Sequence, residues 1–134
     1  MKICYFGTYS KEEGYPRNRV IIKGLRDNGV LVKECHVDLW KSSAEKITGI
    51  KTIQFNPKLL FKIILFYFNL IVNFFKIGEY DILIIGYVGH FDIFVAKILN
   101  IFKKKPIVFD AFISLYDTVV NERKIIPKKS LKAK

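Results

Sequence analysis

The sequence predicts an α/β domain with a mostly parallel sheet and helices on both of its faces. Three observations carry that prediction. Short apolar runs alternate with longer segments of helical periodicity along the chain. The runs Ile82–Ile85 and Ile107–Phe109 are apolar at every position, as strands covered on both faces are. Turn and breaker residues separate the runs, notably "DNG" at Asp27–Gly29 and Pro106.

In chain order, Ile3–Phe6 is the first expected strand, and Gly7 ends it. A polar stretch leads to Pro16, which suits the first turn of a helix over Pro16–Asp27. Val20, Ile21 and Leu25 are its expected buried stripe, with Arg19, Lys23 and Arg26 facing water. Val30–Val37 is the second strand. The segment from Asp38 to Asn56 is ambiguous, with room for a short edge strand near Ile50–Phe55. A helix follows over Pro57–Ile77, then the strand Ile82–Ile85, a helix over Phe91–Phe102 and the strand Ile107–Phe109.

At 134 residues the chain is one domain's worth, enough for a single core. A hydrophobic content of 51%, with 15% aromatics, excludes disorder and leaves more apolar surface than one core consumes. The net charge of +11 is uneven: residues 123–134 carry six basic side chains and no acid, leaving +5 for residues 1–122. We therefore divide the chain into a domain over 1–122 and a basic tail over 123–134. The tail suits anionic lipid or a solvated end. Nucleic acid is disfavoured, because no stacking-aromatic motif accompanies the charge. Cys4 and Cys35 fall inside expected strands as small buried apolar residues. With no CxxC, no Cys/His cluster and no leader before Lys2, the expectation is a reducing cytoplasm and no structural metal.

In a doubly wound sheet the first strand and Ile82–Ile85 would be neighbours at the switch point, where ligands bind beyond the strands' carboxyl ends. Three turns would meet there: Gly7–Tyr15, Gly86–His90 and Asp110–Thr118. Arg17 and Arg19 occupy the first turn of the first helix, where the helix dipole disfavours cations. Either Glu12 and Glu13 neutralise them or an anion does, and free N–H groups beside Arg17 suit phosphate or carboxylate. Gly86 and Gly89 allow close backbone approach. His90 is a candidate hydrogen-bond donor there, Asp92 a candidate cap of the next helix, and His36 a minor candidate. Asp110, Ser114, Asp117 and Thr118 also serve as turn and capping residues. GxGxxG, GxxxxGK[ST] and G-x-S-x-G are all absent, which disfavours an ordinary dinucleotide site, a P-loop and a hydrolase elbow.

The stretch from Leu59 to Ile77 is apolar nearly all round. Lys62, Asn69, Asn73 and Lys76 form one narrow polar stripe. It approaches the length of a membrane span, but spanning would put neighbouring strands on opposite sides of a bilayer. The expectation is a helix packed on the sheet. Its surplus apolar side then meets a membrane surface, a partner domain or another chain. Lys51, Lys58, Lys62 and the tail fit an anionic membrane.

Read together, "GTYS…YPRNRVIIKGLRDNGV", "YDILIIGYVGHFD" and "PIVFDAFISLYDT" resemble the amino-terminal domain of the group 1 (family 4) glycosyltransferases. The likeness covers essentially the whole chain. It implies a Rossmann-like three-layer domain, one half of a GT-B architecture in which two such domains face each other across a cleft. The implied reaction is retaining transfer of a sugar from a nucleotide-sugar to a glycan or lipid-linked acceptor. It needs no metal and no cofactor, and takes place in the cytoplasm at the inner membrane surface. The resemblance makes His90 and Asp110 the candidate catalytic residues and Gly7, Thr8, Arg17, Asn18, Gly89 and Ser114 the candidate donor- and acceptor-binding residues. The chain departs from the family in two ways: its first loop has Gly7 and a distant Gly14 instead of a glycine pair, and it ends at Lys134 with no E-x7-E motif. It is thus expected to be a truncated, split or partner-dependent half, inactive alone. The alternative is a non-catalytic, membrane-associated or partner-binding module with a flavodoxin-like fold.

Overall fold

The computed structural model describes residues 1–9, 16–37, 57–87 and 89–111. The described elements are β1 (Lys2–Gly7), α1 (Pro16–Asp27), β2 (Leu31–His36), α2 (Pro57–Lys76), β3 (Ile82–Ile85), α3 (Asp92–Lys103) and β4 (Ile107–Phe109). The candidate strand near Ile50–Phe55, the basic tail, Glu12, Glu13, Ser114, Asp117 and Thr118 lie outside the described residues.

The four strands form one parallel sheet in the order β2-β1-β3-β4. Register pairs Phe6 with Cys35 on one side and with Ile85 on the other. The chain leaves β1 for β2 on one side, then returns past β1 to place β3 on its other side. The switch point therefore lies between β1 and β3, as expected.

Strand alternation sorts the core into two layers. On one face Cys4, Phe6, Cys35, Leu83 and Ile85 pack with Leu70 and Phe74 of α2 and Ala96 and Leu99 of α3. On the other, Tyr5, Val32 and Ile84 pack with Ile21, Ile22 and Leu25 of α1. One helix thus covers one face and two cover the other. This is an α/β domain with three helices alternating with an all-parallel sheet.

Local sequence explains the element ends. Gly29, at φ +75°, closes α1, with the Gly29 and Val30 N–H groups donating to the Arg26 and Leu25 carbonyls. Lys104 closes α3 in the left-handed region, its N–H donating to the Asn100 carbonyl at 2.7 Å. The Asn100 side chain steadies that turn by donating to the Lys105 carbonyl and accepting from the Lys105 N–H.

One expectation for α1 fails. Val20 is exposed, and the buried stripe is Asn18, Ile21, Ile22 and Leu25. These positions recur at the three- and four-residue spacing of one helix face, and Val20 falls outside it. Asn18 takes the place at the rim because it finds polar partners there, as described below.

Cys4 and Cys35 are buried and unpaired by any disulfide. Burial pushes both thiols up, to about 12. Burial also raises the hydroxyls of Tyr5, Tyr9, Tyr67 and Tyr80. The fold therefore holds these groups protonated, while an unfolded thiol titrates at about 9. Their contribution to stability is fully present below about pH 9 and is lost as pH rises toward 12. Both thiols should resist a thiol-specific reagent at pH 8 in the folded chain and react in denaturant. Urea midpoints should fall steadily above about pH 9. Rapid labelling of the native protein would contradict this burial.

Candidate functional site

Parallel strands place the ends of β1, β3 and β4 along one edge of the sheet, with the starts of α1 and α3 above it. Side chains lock the three turns there to one another. From the first turn, Arg17 Nε and Nη2 donate to Asp110 Oδ2 and Oδ1, both at 2.8 Å, reaching the turn after β4. This is a two-pronged guanidinium–carboxylate pair, the geometry that Arg favours over Lys. The hydrogen bonds to Asp110 raise the Arg17 pKa further and keep the guanidinium charged. The unfavourable position of Arg17 at a helix start is thus compensated across the sheet by Asp110.

Asn18 is fully buried. It accepts from the Tyr5 hydroxyl at 3.0 Å and donates to the Tyr87 carbonyl at 2.6 Å, joining the first turn to the second. The second turn meets the end of β4, where the His90 ring stands edge-on to the Phe109 ring, with centroids 5.6 Å apart. Arg17, Asn18, Gly89, His90 and Asp110 therefore share one rim. Arg19 does not join them. With Lys23, Arg26 and Glu34 it lines a shallow cavity of about 230 Å³ along α1.

Asp92 is the residue that the spacing argument misjudged. It is the first residue of α3, and the residue at the cap position is Phe91, which makes no side-chain cap bond. The buried Asp92 carboxylate instead accepts from the Thr8 N–H at 2.7 Å, from the Thr8 hydroxyl at 3.1 Å and from the Tyr67 hydroxyl of α2 at 3.0 Å. Thr8 thus presents its N–H to a negative charge, as an anion site would, but the charge belongs to the chain itself.

The glycines serve this packing. Gly7 has φ +138°, and a Cβ there would stand 2.7 Å from Asp92 Oδ2. A Cβ on Gly86 would meet the Tyr5 and Tyr9 rings at 2.8 Å. A Cβ on Gly89 would meet the Gly86 carbonyl oxygen at 2.7 Å. The close approach that these glycines permit is made by the protein's own side chains and backbone. His36 is likewise engaged, stacking on Tyr9 with its Nδ1 3.2 Å from the Gly7 carbonyl oxygen.

Among the described residues no group of three His, Cys, Asp or Glu side chains is placed to hold a metal ion. None of the described helices is long and apolar enough to cross a membrane. Tyr5 and Tyr67 are rim residues that sequence reasoning did not assign. The paired glycines of the second turn were the one signal that something packs closely there. The chain matches no protein-family model, no curated protein and no solved structure.

Substitution at glycines separates the rim from the rest. Gly7→Ala and Gly86→Ala should each destabilise by about 1–3 kcal/mol through strain and overpacking. Gly24→Ala, in α1 with nothing within 4 Å of the added carbon, should stabilise by about 0.5–1 kcal/mol. Urea denaturation of the three variants reads both signs. Equal effects would mean that the rim is loosely packed.

Proposed function

We propose that this chain is the acceptor-side half of a retaining glycosyltransferase of GT-B architecture, working at a membrane surface. The observation that supports the reading best is the convergence of Arg17, His90 and Asp110 on the rim at the switch point, the position ligands take in doubly wound sheets. The resemblance of the three turns to the family 4 enzymes supplies the reaction.

In that reaction the bond from the sugar's anomeric carbon to the diphosphate oxygen breaks as the acceptor hydroxyl oxygen bonds to that carbon, and the hydroxyl proton passes to the departing diphosphate oxygen. Negative charge grows on the departing diphosphate, and fixed donors facing it lower the barrier. Here Arg17 stands where such charge would be felt, with Asp110 orienting its guanidinium. His90, edge-on to Phe109 at the end of β4, is the group to contact an acceptor hydroxyl. Gly7, Thr8, Asn18 and Gly89 shape the floor, and Ser114 belongs to the same turn as Asp110 in sequence. On this reading the donor is held by the opposite half of the GT-B architecture, so residues 1–134 by themselves should transfer no sugar. No cofactor enters the scheme.

A second reading is favoured by a specific observation: the rim groups satisfy one another. Arg17 holds Asp110, Thr8 holds Asp92 and Asn18 holds Tyr87. A non-catalytic, flavodoxin-like interaction module would need no more. Titration with oligosaccharide acceptors, followed by amide resonances, separates the two. The first reading expects shifts at Thr8, Gly89, His90 and Asp110 and none at Gly24–Asp27, with no turnover of any nucleotide-sugar by the isolated chain. Turnover by the chain alone, or silence of the rim to every saccharide class, would overturn it.

A further inference from the structure

The sequence singled out one over-apolar helix, but the structure shows two on the same side of the sheet. On α2, Leu60, Phe61, Ile64, Leu65, Phe68 and Phe75 are exposed. They occupy the sector between the buried residues Leu70 and Phe74 and the polar stripe of Lys62, Asn69, Asn73 and Lys76. On α3 the pattern is more extreme. Asp92, Ala96 and Leu99 face the sheet, while Phe94, Ile98, Ile101 and Phe102 cover the opposite side, 63–82% exposed. Phe91, just before the helix, adds to them at 70%. A helix on a soluble sheet needs one apolar stripe; α3 has two.

The charges carried by these two helices are almost all positive, although the exposed Glu79 just after α2 pairs with Lys103 at 3.4 Å. The helices α2 and α3 contain five lysines, at positions 58, 62, 76, 97 and 103, and Lys104 and Lys105 follow directly. Their one acid is Asp92, which is buried and turned to Thr8. This arrangement selects among occupants. A second copy of the chain would set lysines against lysines, and the tail over 123–134 carries six more cations and no acid. A surface that is apolar within and negative at its boundary complements both features.

We propose that α3 and α2 together form the docking face for an anionic lipid bilayer, with Phe94, Ile98, Ile101 and Phe102 entering the headgroup–acyl boundary and Lys62, Lys76 and Lys97 meeting lipid phosphates. This deepens the membrane-surface part of the reading above and rests on it. It also fixes an orientation, since α1 covers the opposite face of the sheet and is held away from the bilayer.

Co-sedimentation of the full 134-residue chain with phosphatidylcholine vesicles, with and without phosphatidylglycerol, tests the proposal. The parent should pellet with the anionic vesicles and bind the neutral ones at least about tenfold more weakly, as about two lysine–lipid contacts per molecule imply. Phe94→Glu/Ile98→Glu on α3 should lose about tenfold or more. Leu65→Glu/Phe68→Glu on α2 should also weaken binding, and Val20→Glu on α1 should leave it unchanged. Loss with the α2 pair but not with the α3 pair would overturn this proposal and leave a membrane reading confined to α2. No binding by the parent would sink both, without touching the saccharide titration at the rim. A dimer in solution that Ile98→Glu dissolves, with no vesicle binding, would instead assign the face to a second copy. Should the glutamate variants fail to fold, Phe94→Trp in a Trp40→Phe background keeps the question open to decision. Its emission should shift to the blue with anionic vesicles, and an unmoved spectrum would overturn the proposal.

Discussion

The rim depends on one buried carboxylate. Asp92 sits at the start of α3, out of water, where an ionised side chain is costly unless several donors meet it. Thr8 supplies two and Tyr67 a third. These bonds tie the end of β1 to α3 and α2, so the turn after β1 is held from the sheet face that carries both apolar helices. Gly7 makes the contact sterically feasible, because any Cβ there would collide with the same carboxylate. From this anchor the neighbouring constraints follow. Thr8 is fixed, and Tyr5 of β1 reaches over the opposite face to Asn18.

The rim therefore draws on both faces of the sheet. From the α1 side come Asn18, buried against Tyr5, and Arg17, extended to Asp110. From the α2 and α3 side come Asp92 and Tyr67. The second turn is gripped between them, with its Tyr87 carbonyl taken by Asn18 and its Gly86 N–H by the Phe6 carbonyl. The described polar groups of this rim are thus oriented by the protein's own bonds, a condition for directing fixed dipoles at developing charge.

The sheet and its helices were legible because each element satisfies its own local rules. Continuous apolar runs marked β3 and β4, and DNG stopped α1 at the expected residue. That the carboxyl ends of β1, β3 and β4 share one edge of the sheet followed from topology alone. What was not legible was which polar side chains would find each other. Arg17 and Asp110 are 93 residues apart, and Thr8 and Asp92 are 84 apart, so neither pairing leaves a local trace. The burial of Asn18 was not legible for the same reason. A polar residue looks outward until Tyr5 and the Tyr87 carbonyl are in place to satisfy it. The apolar outer side of α3 was not legible either. In a twelve-residue helix, two opposed apolar stripes look like one ordinary core helix until burial separates them.

The two unusual features, a self-satisfied rim and an apolar two-helix face, meet at Tyr67. Its hydroxyl donates to Asp92 from the helix whose outer sector is exposed and apolar. Any force that tilts α2 relative to the sheet therefore acts on Asp92, and through it on Thr8. The core resists such tilting because Leu70 and Phe74 lie directly against the strands. A partner that engages the outer sector of α2 thus meets a helix already held at its inner sector by packing and near its middle by a hydrogen bond. The rim and the apolar face are parts of one stiff body, so the position of the first constrains the orientation of the second.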